Sequence, residues 1–267
     1  MILGFYLNFD LPAQAGIWIL KFFAIKMFTK IKTFFKKLWL VALDTIFPIE
    51  CLVCKKEGKT ICDDCLNKIP TTTRSDCPLC HKMTTTNHRL CSNCQNQNGL
   101  TDIIVATDYE QKIIEDLIHG LKYNYLTTNA QALGFILFQK IKILPIFQTS
   151  PEQIIIIPVP LHKKRQRERG FNQAELLALE LQKFWPIKVE NMLTTRQRYT
   201  TTQTKLSRSE RQTNLKNAFI LSSDKDLRNK TVIIVDDVIT TGSTILEVAN
   251  LIKKSGAKIY ALTVAQN

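Results

Sequence analysis

A mostly parallel α/β sheet, preceded by a small cysteine module, is the architecture that this 267-residue sequence predicts. Three observations carry that expectation. Strand-like apolar runs alternate with helical patterns from Thr101 onward, as in a parallel sheet covered by helices. Two of those runs, 154–159 and 231–235, are continuously apolar or β-branched, as strands buried on both faces are. All eight cysteines lie between Cys51 and Cys94, in four Cys-x-x-Cys pairs.

These patterns divide the chain into an N-terminal helical segment (1–49), a cysteine module (50–98) and a sheet domain (99–267). In the first, Phe22, Ile25, Phe28, Ile31, Phe35 and Leu38 recur at helical spacing, with Lys26, Lys30, Lys36 and Lys37 largely on the other side. This is the pattern of an amphipathic helix. Such a helix either packs on its own domain or makes a weak peripheral membrane contact through residues 20–40; both readings stay open. Met27 is a second candidate start, which would leave 1–26 without meaning. The first twenty residues hold no Lys or Arg, and the longest early uncharged run, 11–20, has ten residues. Neither a secretory signal nor a membrane span is expected. The cysteine usage points to a reducing, cytoplasmic compartment.

The cysteine spacing is Cys51-x2-Cys54-x7-Cys62-x2-Cys65, then Cys77-x2-Cys80-x10-Cys91-x2-Cys94. Each pair can place two thiolates on one metal, and two pairs complete a tetrahedral site. Two structural Zn²⁺ ions are expected. Sequential pairing is the economical arrangement, with nested and crossed pairings open. Thiol redox chemistry would want a βαβ context that no pair has. The spacer 84–98 is polar and reads as irregular.

In the sheet domain, strands are expected at 102–108, 154–159, near 187–193, at 231–235 and at 257–264. Helices are expected near 111–122 and 128–142, from about Asn172, over a short stretch ending near Asn214, and from near Ser243. The formal net charge is +13, unusual for a chain of ordinary hydrophobicity. Thirteen Lys/Arg against five Glu fall between Pro160 and Lys216. A polyanion or a phosphorylated small molecule is the natural partner of such a segment.

The second buried run leads into Asp236, Asp237 and the stretch Thr240-Thr241-Gly242-Ser243-Thr244. Ligands of open parallel sheets bind beyond the carboxyl ends of the strands, and the two acids are expected at such an end. Gly242 allows a tight turn, and the free N–H groups of the helix start, with four hydroxyls, make a phosphate socket. A Gly-Lys-Ser/Thr P-loop is excluded, because no lysine follows the glycine. Adjacent carboxylates beside the socket can accept hydrogen bonds from vicinal sugar hydroxyls. Phosphate and diol together describe a ribose 5-phosphate. Lys122, in Gly-Leu-Lys-Tyr123, either reaches a pyrophosphate or is a helix C-terminal lysine favoured by the dipole. Lys163, Lys164, Arg165 and Arg169, in a basic loop, with Arg196, Arg198 and Arg211, are donors for a departing pyrophosphate or a nucleic-acid backbone.

The run 232–244 resembles the phosphoribosyl pyrophosphate (PRPP) motif of type I phosphoribosyltransferases. The order of parts also resembles the ComF family over residues 40 to 265: Phe47-Pro48, four knuckles, Leu-Lys-Tyr123, Pro-Val-Pro160, Arg-Gly-Phe-Asn-Gln173, Arg211-x-x-Asn214 and the terminal motif. The resemblance implies that Asp236 and Asp237 hold the ribose hydroxyls, that 240–244 hold the 5′-phosphate, and that Mg²⁺ accompanies PRPP. It implies a part in handling incoming single-stranded DNA alongside competence proteins, and a phosphoribosyltransferase fold whose reaction is generally unassigned; phosphoribosyl transfer with pyrophosphate release is the reaction expected here. The alternative is a non-catalytic single-stranded-DNA factor with a vestigial or regulatory PRPP site. Few aromatics lie near the basic segment in sequence (Phe171, Phe184, Trp185, Tyr199), which gives a base-stacking platform little support. A glutamine amidotransferase is not expected, since every cysteine is in a knuckle pair.

Overall fold

A computed structural model describes residues 48–72, 74–84, 89–191, 194–196, 219–221 and 226–267. The expected helix at 22–38, the short helix ending near Asn214, and Arg198 and Arg211 lie outside those residues. Among the described residues, 48–51 and 55–59 form a small unit; residues 52–54 and 60–267 form the large one. No helix among the described residues is long and apolar enough to cross a membrane.

The small unit is a knuckle turn. Cys51 N–H donates to the Lys56 carbonyl at 2.8 Å, Lys55 N–H donates to Cys51 at 2.9 Å, and Glu50 bridges Glu57. The same construction recurs in the large unit, 26 positions on. Cys77 N–H donates to Lys82 at 2.8 Å, His81 N–H to Cys77 at 2.8 Å, and Asp76 bridges Met83. Lys55 and His81 both take positive φ, 63° and 58°, where the turn reverses. After each knuckle comes a short helix headed by a cysteine. These are α1 (Asp63–Leu66), capped by Cys62, and α2 (Ser92–Asn98), capped by Cys91. The expectation of an irregular spacer is corrected by α2. Its polar residues carry no apolar periodicity; it starts after Cys91, which is extended, and ends at Gly99, left-handed at φ 68°.

The large unit is built on a five-stranded parallel sheet. Its strands are β1 (Asp102–Asp108), β2 (Ile154–Pro158), β3 (Lys188–Val189), β6 (Thr231–Ile239) and β7 (Lys258–Gln266), in the order β1-β7-β6-β2-β3. A separate antiparallel pair joins β4 (Thr194–Arg196) to β5 (Phe219–Leu221). The strand expected near 187–193 is therefore two short strands in two sheets. Every residue of β2 and the first five of β6 are buried, which explains their unbroken apolar character.

Helices cover the sheet through apolar stripes at helical spacing. In α3 (Lys112–Tyr123) the stripe is Ile114, Leu117, Ile118 and Leu121; in α6 (Gln173–Phe184) it is Ala174, Leu177, Ala178 and Leu181. In α7 (Ser243–Ile252) it is Ile245, Val248, Ala249 and Ile252. Between α3 and α6 lie α4 (Asn129–Ile141) and α5 (Lys163–Arg169).

The second knuckle is part of this core. Cys77, Leu79, Leu90, Cys94 and Leu100 are buried in one cluster with Val105, Ile157, Ile239 and Ile245. A polar bridge adds to the apolar contact. Arg89 donates to Gln266 Oε1 at 2.8 Å, and the Gln266 amide donates to Asp76 Oδ2 at 3.3 Å. Burial opposes charge on Asp76. Its backbone hydrogen bond, Arg74 and Arg89 outweigh that and hold the carboxyl below its usual range.

Candidate functional site

The acids do not stand at the end of their strand, as the sequence suggested. β6 continues to Ile239 because β7 runs beside it to Gln266, two residues further than expected, and the two pair along their length. Asp236 and Asp237 therefore sit in the second half of β6, fixed in register, with Asp236 opposite Thr263. The chain then turns through Thr240 and Thr241 to Gly242, at φ +70°, which heads α7.

A cleft of about 620 Å³ opens above this end of the sheet. Asp236, Asp237, all of Thr240 to Thr244, and Lys122 line it. Thr241 and Ser243 hydroxyls bond to each other across the turn, and Ser243 N–H points toward Thr241 Oγ1 at 3.5 Å. Gly242 is required twice over. Its φ lies where L side chains are rarely found. A Cβ there would also lie 2.2 Å from Leu79 Cδ2, between two cysteines of the second knuckle.

Lys122 Nζ meets Asp237 Oδ1 at 2.9 Å, both side chains mostly buried. Burial acts against the lysine's charge, but Asp237, with Asp236 behind it, outweighs burial and raises its pKa above the ordinary value. A raised lysine pKa gives stability that is complete at neutral pH and is lost as pH climbs through the folded-state value. Replacing Lys122 by Met leaves a largely buried carboxylate without its cation, at a cost of about 3 kcal/mol. Thermal melts of both proteins from pH 7 to 11 should show that deficit at pH 7 and see it shrink above about pH 10.4. A deficit constant with pH would assign it to packing.

The basic segment is a helix rather than a loop. Lys163–Arg169 consists of good helix formers. Lys164 N–H donates to His162 Nδ1 at 3.1 Å at its start, and Gly170 ends it at φ 78°. Arg165 and Arg169 line the cleft; Lys163 and Lys164 are exposed outside its lining. Arg196 lies on β4.

Sequence reasoning missed several lining residues. Tyr109, His119 and Tyr123 come from β1's end and α3, and Asn172 and Gln173 from the start of α6. Asn172 caps that helix, accepting from Ala174 N–H at 3.2 Å and donating to the Val159 carbonyl at 3.0 Å. Gln173 is only 3% exposed, yet its Nε2 has no hydrogen-bond partner. A buried amide donor left unmet is costly. The run Arg-Gly-Phe-Asn-Gln173 singled out this residue in the sequence without giving it a role.

The cysteines gather in sequence order. The sulfurs of Cys51, Cys54, Cys62 and Cys65 lie within 4.8 Å of one another, as do those of Cys77, Cys80, Cys91 and Cys94. The Cys54–Cys62 and Cys80–Cys91 separations are both 3.6 Å. A zinc–sulfur bond of about 2.3 Å implies a tetrahedral edge of about 3.8 Å, so four thiolates at this spacing suit Zn²⁺. The backbone N–H of Cys94 is the leading influence lowering the Cys91 thiol to about 7, which favours one ready thiolate in the second cluster.

Residues 167–267 match the phosphoribosyl transferase domain and residues 42–95 the double zinc ribbon domain. The chain is 36% identical over 200 residues to DNA utilization protein YhgH of Escherichia coli O6:H1, covering 74% of this chain and 86% of that one. It is 35% identical over 169 residues to competence protein F of Haemophilus influenzae, covering 63% and 74%. The chain belongs to the ComF family. Competence protein ComFC of Bacillus subtilis, at 26% identity over 235 residues, covers 79% of this ComF chain and 86% of its own length. As a ComF protein the chain joins the two parts just described, a parallel-sheet phosphoribosyltransferase fold and a pair of four-cysteine zinc ribbons.

Proposed function

We propose that the cleft binds PRPP with Mg²⁺ and transfers its phosphoribosyl group with release of pyrophosphate. The observation that carries this is convergence. Two adjacent carboxylates fixed on β6, and a hydroxyl-rich turn at the start of a ten-residue helix, face one cleft. The turn suits a 5′-phosphate through its N–H groups and the helix dipole. Asp236 and Asp237 suit the ribose diol. Lys122, Arg165 and Arg169 supply donors for a second, pyrophosphate-sized anion.

Two carboxylates beside phosphate oxygens also make an oxygen donor set of the kind Mg²⁺ takes, and Asp236 and Asp237 would hold it there. When bound, Mg²⁺ neutralises charge that gathers on the leaving pyrophosphate. The relatives named for DNA utilization and competence favour DNA as the setting in which this chain acts.

Calorimetric titration of PRPP into zinc-loaded protein, with and without Mg²⁺, tests the reading. Saturable binding that needs Mg²⁺ is expected, weakened at least about tenfold in Asp236→Asn/Asp237→Asn as two sugar hydrogen bonds to charged acceptors are lost. Binding unaffected by the double substitution would overturn the assignment of the acids. No binding at millimolar PRPP would overturn the ribose-phosphate reading itself.

A further inference from the structure

The second ribbon holds α7 at both ends. At the start of the helix, Leu79 Cδ2 fills the space that a side chain at position 242 would need. At the far end, Lys253 follows Ile252 and lies against Gly99, where a Cβ would stand 2.8 Å from its Cε. The Lys253 Nζ also donates to the Gln97 carbonyl at 3.3 Å. Gln97 and Gly99 close α2, the helix that carries Cys94. A third hold runs through Gln266, which bonds Arg89 and Asp76. Its neighbour Asn267 lines the cleft and donates its N–H to the Ile239 carbonyl at 3.0 Å.

Among the described residues, none from Cys77 to Cys94 lines the cleft itself. The ribbon therefore acts on a ligand only through what it holds. The first knuckle gives a contrast within the same chain. Val53 stands where Leu79 does, one residue before the second cysteine of its pair. Val53 is 56% exposed and Leu79 6%. Gly242 gives the turn its tightness but also a wide choice of conformations. A buried leucine pressed against it removes that choice before a ligand arrives. Leu79 is itself fixed by its flanking cysteines, two of the four sulfurs gathered within 4.8 Å.

We infer that Leu79 is a positioning residue for the turn at 240–244, through which metal in the second ribbon and ligand in the cleft strengthen each other's binding. This rests on the ribose-phosphate reading. Coupling of this kind is reciprocal: if an ordered ribbon favours the ligand, the ligand favours the ribbon's metal by the same factor.

The test uses full-length zinc-loaded protein and has two arms. In the first, PRPP with Mg²⁺ is titrated calorimetrically into wild-type protein, Leu79→Ala, Leu79→Met and Val53→Ala. Leu79→Ala should weaken binding at least about fivefold, the lower end of ordinary coupling between sites. Leu79→Met keeps the volume and should keep most of the affinity. Val53→Ala should match wild type. The second arm needs no variant to fold. Wild-type protein is equilibrated with a zinc-selective chelator, with and without saturating PRPP and Mg²⁺. Zinc per chain should fall in two steps, of which PRPP moves one to at least about fivefold higher chelator. Cys54→Ser, which keeps the second cluster, should show that step alone. At equal saturation Leu79→Met should retain the shift and Leu79→Ala lose most of it, whereas general stabilisation by ligand would protect both alike. Wild-type PRPP affinity in Leu79→Ala, or no shift of either step in wild-type protein, would overturn the inference and leave the ribose-phosphate reading standing. Absence of PRPP binding to wild-type protein would remove that reading, and this inference with it.

Discussion

Gly242→Ala is expected to abolish ribose-phosphate binding and to destabilise the protein by about 2 kcal/mol. Two causes act together. The φ of +70° costs an alanine on the order of 1 kcal/mol. Its methyl carbon would also stand 2.2 Å from Leu79 Cδ2. Leucine tips usually swing aside cheaply, but Leu79 is buried in the main cluster and lies in the turn between Cys77 and Cys80. The turn must move instead, which shifts the Ser243 and Thr244 N–H groups away from a phosphate. Calorimetry should show PRPP affinity reduced by at least about a hundredfold, on the scale of losing an oriented charge-assisted hydrogen-bond set. Gly242→Ala/Leu79→Ala separates the causes. It removes the collision and keeps the φ strain, so affinity should recover in part. No recovery would mean that backbone conformation alone governs the loop.

Loss of zinc from the second cluster should have the largest effect on stability. Cys77 and Cys94 are buried within the same core as Ile157 and Ile245. Structural zinc contributes on the order of 10 kcal/mol to small metal modules, comparable to the whole stability of a domain. Cys94→Ser should therefore lower zinc content from two per chain to one, and either lower the melting temperature steeply or yield insoluble protein. Cys54→Ser removes an exposed ligand of the first cluster. It should also bring zinc to one per chain, with a smaller fall in melting temperature. Equal effects from the two substitutions would contradict the structural role given to the second ribbon.

Much of the fold was written in local pattern. Buried parallel strands need unbroken apolar runs, so β2 and β6 were visible, and four Cys-x-x-Cys pairs made two metal clusters visible, although the choice of sequential over nested or crossed pairing needed the structure. The hydroxyl-rich turn and its acids were legible because a strand, two carboxylates, hydroxyls and a glycine occur in one short run. What escaped notice depends on distant segments meeting. Leu79 looks like filler inside a knuckle until Gly242 lies against it. Tyr123 is about forty-five positions from Arg169, and nothing local places the Arg169 guanidinium over its ring. α2 escaped because a short polar helix without an apolar stripe leaves no periodic trace.

The contact between Lys122 and Asp237 has a consequence for selectivity. The lysine is a resident counter-ion: before any ligand arrives, it occupies an acid that the ribose diol is proposed to use. Binding is then an exchange. A sugar that takes Asp237 displaces a cation from a mostly buried position. Ribose 5-phosphate offers that cation nothing in return, whereas PRPP brings a pyrophosphate to receive it. On the proposed reading, PRPP is expected to bind more tightly than ribose 5-phosphate because of the company the protein's own lysine keeps, with no wall needed to exclude the shorter ligand.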